Sequence, residues 1–182
     1  MIERLAIPDV WTYTPRRFAD DRGWFAETFN ASTLGEVLGN VAFVQDNHSL
    51  SKSVGTLRGM HLQIPPKAQD KLVRVVRGSV LDVAVDIRSG SPTYGKWVSA
   101  TLSADNGVQI FVPKGFAHGF LTLEPNTEVV YKVSDYYSRD HERGIVWNDP
   151  ALSIDWGFEA KDITIADRDQ HFPRLAALEK YF

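Results

Sequence analysis

Hydrophobic and polar residues alternate with a period of two along much of the chain. The clearest run is KLVRVVRGSVLDVAVDIR, Lys71 to Arg88. There Leu72, Val73, Val75 and Val76 precede Val80, Leu81, Val83, Val85 and Ile87. Such alternation predicts half-buried β-strands. Gly78-Ser79 falls in the middle, where a two-residue turn would sit, so a β-hairpin is predicted there. Further strands are predicted at Gly23 to Phe29, Val41 to Ser49, Thr56 to Gln63, Lys96 to Leu102, Val108 to Val112, Ala117 to Leu123 and Thr127 to Ser134. The turn-forming stretches RSGSPTYG, SADNG, VPKG and EPN separate them. Helical spacing is scarce. Asn30 to Gly39 has a polar start, a Leu34/Val37/Leu38 face and a closing glycine, which predicts one short helix. A second is predicted at Arg174 to Lys180. Many short strands with regular turns predict an all-β sandwich or barrel in one domain, residues 1–182.

Composition narrows the chemistry. The 182 residues can bury a substantial core, and five Trp with ten Phe predict an aromatic-rich interior or cleft. A net charge of −3 gives no electrostatic reason to expect nucleic acid or an anionic membrane as partner. There is no cysteine, which removes disulfides, thiolate catalysis and thiolate metal sites, and suits a reducing cytoplasm. The N-terminal MIERLAIPDVW does not read as a secretory signal, and no apolar run is long enough for a membrane-spanning helix.

Two stretches carry candidate chemistry. Gly55 and His61 keep the spacing of the first metal-binding motif of the cupins, double-sheet β-barrel proteins, and after a longer gap than the motif has, Lys71 stands at its usual distance before the closing Gly78. Gln63 stands where that motif has a second histidine, and Lys71 where it has a glutamate. Gly107, Pro113, Gly115 and His118 keep the spacing of the second motif, with Thr122 for its asparagine. Together the two halves resemble a cupin jelly-roll barrel, or double-stranded β-helix, with a few short flanking helices. An ammonium beside a divalent cation is unfavourable, so no metal is expected. An ammonium in a cavity suits a developing oxyanion instead. That points to proton abstraction beside a carbonyl, with His61 as base, Lys71 and His118 at the enolate and Tyr131 as acid. Spacing alone leaves the plainer readings open. His61 and Tyr131 fit ordinary strand positions, and Lys71 fits a strand start in solvent.

The stretches DDRGWFAETF, FVQDNHS, LRGMHLQ, VPKGFAHGF, EVVYKVSDYY, HERGIVWNDP and DRDQHFP follow one another in order. They resemble the successive signatures of the dTDP-4-dehydrorhamnose 3,5-epimerases, a branch of the cupins without metal or cofactor. The resemblance implies a cytoplasmic homodimeric isomerase that acts on a dTDP-4-keto sugar. His61 is then the base, supported by Asp169, and Tyr131 the acid on the opposite face of the sugar. Lys71 and His118 contact the sugar, and Arg58 the pyrophosphate. Arg22 and Glu27 reach into the cleft of a partner subunit, with the N-terminal strands exchanged between the two, and Phe25 supports the thymine site. Gln45, Asp46, Asn47, Glu142 and Arg168 are further substrate contacts, and Tyr137 stacks on the thymine. ADRD at Ala166 to Asp169 places Arg168 where the family pattern carries lysine. Action at one or at both of C3 and C5 stays open.

Overall fold

In the computed structural model, which describes residues 1–182, the alternating run from Lys71 does not fold back on itself. It forms two strands, β7 (Lys71–Arg77) and β8 (Ser79–Asp86), that belong to different sheets. The predicted hairpin is therefore corrected to a corner. Gly78 alone links the strands, with φ +75°, and a Cβ there would strike Thr127. Neither strand offers the other a free edge. β7 lies between β10 (Gln109–Val112) and β12 (Thr127–Val133), while β8 lies between β11 (Phe116–Thr122) and β9 (Trp97–Ser103). The two strands meet face to face instead. Val73 and Val75 of β7 share a buried cluster with Val80 and Ala84 of β8.

Two sheets build the body. The first adds β1 (Ile2–Arg4), β2 (Trp11–Tyr13) and β5 (Gln45–Ser51), in the order β1-β2-β10-β7-β12-β5. The second adds β6 (Thr56–Gln63) and β13 (Glu142–Gly144), in the order β13-β6-β11-β8-β9, with β14 (Thr164–Ile165) parallel to β6. This is an all-β jelly roll. The cluster between the sheets is apolar, and each outer face is covered separately. On the first, Leu34 and Leu38 of helix α1 (Ala31–Leu38) pack on Trp11, Leu72 and Phe111. Asn30 caps that helix by accepting from the Ser32 and Thr33 amides, and Gly39 closes it at φ +58°.

On the second sheet's outer face, Leu57, Met60, Val83 and Val85 pack against Ile145, Leu152, Trp156 and Leu175 from the C-terminal chain. The helix predicted at Arg174 to Lys180 is a single 3₁₀ turn, Leu175–Ala177. Leu175, Leu178, Tyr181 and Phe182 all rest on that face, and the chain turns extended at Leu178, with φ −72° and ψ 132°. A separate hairpin, β3 (Arg17–Asp20) with β4 (Gly23–Ala26), pairs with neither sheet. It exposes Phe18, Trp24 and Phe25 at 52%, 58% and 70%.

Candidate active site

A cavity of about 500 Å³ lies between the two sheets, lined by Ser49, Arg58, His61, Lys71, His118, Tyr131, Glu142, Arg168 and Asp169 among others. Two of these residues share a wall only because of a break in β6. Arg58 and His61 are three apart, which in a regular strand puts them on opposite faces. Arg58 pairs with Phe120 and His61 with His118, so β6 carries one extra residue over that stretch. This is a β-bulge, and it restores both side chains to the cavity face. Gly59 and Gly119 make the bulge possible. A Cβ on Gly59 would come within 2.5 Å of the Gly119 Cα, and φ there is +131°.

His61 Nε2 lies 2.9 Å from Oδ1 of Asp169, which is 3% exposed. A carboxylate accepts only, so Nε2 carries the hydrogen and Nδ1 keeps its lone pair. Asp169 sits in α2 (Asp167–Gln170) and also accepts from the Gly59 amide at 3.3 Å. Burial opposes its charge. The His61 contact, the Gly59 amide and Arg168 outweigh burial and hold its carboxyl below the usual range.

Lys71 is 9% exposed, and its ammonium donates to the His61 carbonyl at 3.4 Å. Burial pushes its pKa down to about 8, while Asp82 and Glu142 pull upward. His118 donates from Nε2 to both oxygens of Asp82, at 2.8 and 2.9 Å. Burial favours its neutral ring, against the pull of Asp82. Burial raises the Tyr131 phenol, and nearby Arg58 lowers it in part. Tyr131 rises from the first sheet and His61 from the second, so the two groups face the cavity from opposite sides.

Arg58 donates to the Ser51 hydroxyl and the Leu50 carbonyl, each at 3.1 Å. Arg168 bridges Glu142 at 2.7 Å and Asp169 at 3.3 Å, and Glu142 also accepts from the Tyr137 phenol at 3.0 Å. Gln45 and Asn47 lie on the inner face of β5, bonded to each other, and Gln45 also accepts from the Tyr137 amide. Asp46 is not part of this group. It points to the outer face and pairs with Lys132 at 2.9 Å. Arg22, Phe25 and Glu27 do not line this chain's cavity either. Arg22 pairs with Asp20 at the tip of the β3–β4 hairpin. Gln63, at the lost ligand position, instead ties Lys67, Tyr136 and Ser138 together through backbone contacts.

A model of the dTDP-4-dehydrorhamnose 3,5-epimerase family matches residues 4–177. The chain belongs to that family. This epimerase is 54% identical over 178 residues to the dTDP-4-dehydrorhamnose 3,5-epimerase of Escherichia coli K12, covering 97% of this chain and 94% of that one. Among solved structures, one from Legionella pneumophila is a dTDP-6-deoxy-D-glucose-3,5-epimerase in complex with dTDP-4-keto-L-rhamnose. It superposes with a TM-score of 0.93 at 42% identity, covering 98% of this chain and 94% of that one. A 3'-monoepimerase from Streptomyces bikiniensis in complex with dTDP-quinovose superposes at 0.87 with 33% identity, covering 96% and 87%. Pattern reading misses one member of the epimerase site. Asp82 is fully buried, and its inward parity with Val80 and Ala84 in SVLDVAVD was the available signal. An acid on the core face of an apolar strand needs a buried partner.

Proposed function

We propose that the cavity converts dTDP-4-dehydro-6-deoxy-D-glucose to dTDP-4-dehydro-L-rhamnose through the side chains just described. The arrangement of base and acid on facing sheets carries this reading. His61 Nδ1 takes a proton from the carbon beside the C4 carbonyl, and the C–H electrons pass into an enolate. The Lys71 ammonium stabilises the enolate oxygen, and Asp169 stabilises the imidazolium. Tyr131 returns a proton to the opposite face, which inverts the centre. Its raised pKa keeps the phenol protonated at neutral pH, as an acid requires. Solvent then reprotonates the phenolate and takes the proton from His61. C3 and C5 both adjoin C4, so one oxyanion site serves both centres. Arg58 is assigned to the pyrophosphate, Tyr137 to the thymine, and Gln45, Asn47, His118, Glu142 and Arg168 to further contacts.

Turnover in D2O tests this directly. Deuterium is expected at both C3 and C5 of the product, and label at C3 alone would favour a monoepimerase. Tyr131→Phe is expected to keep exchange in recovered substrate while inversion falls by about 100-fold. Equal loss of exchange and inversion would remove Tyr131 from the acid role.

We further propose a homodimer in which Arg22, Phe25 and Glu27 complete the partner's cleft. The aromatic hairpin supports this, since a two-stranded ribbon with exposed rings is only marginally stable uncovered. Sedimentation is expected to give twice the 20.5 kDa chain mass. Arg22→Ala is expected to raise KM without dissociating the dimer, and a monomer of full activity would refute the exchange. No helix is long and apolar enough to cross a membrane. A cysteine-free chain suits the cytoplasm, where we place the reaction.

A further inference from the structure

We propose that Phe172 is a positioning residue for the base, a role that rests on the assignment of His61 above. The hydrogen bond to Asp169 and a longer 3.4 Å contact with Arg168 fix where Nε2 sits but leave the imidazole plane room to turn, because the terminal torsion of histidine is broad. Something else must set the plane for Nδ1 to meet a substrate C–H. The Phe172 ring lies 5.7 Å from the His61 ring at 77°, an edge arrangement favoured between aromatic rings. Arg168 holds the phenyl ring in turn, with its guanidinium 5.9 Å from the ring centre. Room for the ring comes from Gly144, which pairs with His61 across β13 and β6. A Cβ on Gly144 would stand 2.5 Å from the Phe172 ring.

Phe172 belongs to none of the three buried clusters, so the core does not account for it. Its far side borders an outer crevice of about 220 Å³ with Arg143, Glu179 and Tyr181. The ring is therefore a partition between that crevice and the base. Its loss both frees the imidazole and opens a path for water behind it.

Phe172→Ala is expected to lower kcat by about 10- to 100-fold, as small misplacements of a catalytic group do, with KM within about twofold. Phe172→Tyr keeps the ring and is expected to stay within about threefold of wild type. Nitrogen-15 spectra of the histidine rings provide a readout independent of turnover. Wild type is expected to show one fixed His61 tautomer with a hydrogen-bonded Nε2–H, and Phe172→Ala an exchange-broadened or averaged ring. Unchanged His61 signals in Phe172→Ala overturn the proposal, whether or not the wild type epimerises. A kcat within threefold of wild type, or a loss carried by KM, also overturns it. A wild type without exchange at C3 or C5 would instead refute the assigned reaction and leave the spectra to decide Phe172.

Discussion

Replacing His61 with alanine is expected to lower epimerisation by about 1000-fold or more and to remove deuterium exchange at both centres. General-base catalysis contributes about 100- to 10,000-fold, and no second group is placed to take the proton. His118 is the poorer base, because its burial favours the neutral ring and opposes taking up a proton. The fold should be unaffected. The His61 side chain is 26% exposed and belongs to no core cluster. Circular dichroism and the unfolding midpoint are therefore expected to match wild type. Exchange persisting within tenfold of wild type would assign the base elsewhere. Asp169→Asn should fall between the two, since an amide oriented to accept from Nε2 keeps the tautomer but not the charge.

Lys71→Met is expected to reduce kcat by about 100- to 1000-fold, the usual cost of removing an oxyanion donor. Methionine fills similar volume, so packing changes little, and removing a buried charge is not expected to destabilise the sheets. The charge also sets a pH limit. With a pKa of about 8, Lys71 loses its proton as pH rises through that value, and wild-type activity is expected to fall with it. Unfolding does not explain such a fall. The unfolded chain keeps this proton up to the ordinary 10.5, so between about 8 and 10.5 it binds more protons than the folded one. The contribution of Lys71 to stability therefore rises while activity declines. Tyr131 does not produce this limb, because burial moves its phenol upward. A rate that is flat from pH 7 to 10 would deny Lys71 its role at the enolate.

The sequence reading is strongest where structure is local. Thr56 to Gln63 is a strand to the residue, and the helix at Asn30 to Gly39 carries its own cap and stop. Alternation marks a strand but not its partner, and that is why Lys71 to Asp86 reads as a hairpin. Both faces of β8 are buried, one between the sheets and one under the C-terminal chain, so its pattern points to neither neighbour. Arg58 and His61 share the cavity through a bulge that two glycines accommodate, and counting residues cannot anticipate it. Asp46 is the converse case. Gln45 and Asn47 face inward, so a period of two sends Asp46 outward, where it pairs with Lys132.

The charged groups of the site differ in how much chain links them. Lys71 feels the charge of Asp82 from the next strand, across the Gly78 corner, so the oxyanion site closes through a short stretch of chain. His61 and Asp169 are 108 residues apart, and their contact exists only while the segment around α2 is docked on β6. Short segments held outside a protein's sheets open more readily than its central strands. Fraying of that segment would disconnect the base while both sheets stay intact. Activity is thus a more sensitive gauge of this protein's integrity than any spectroscopic measure of its β-structure.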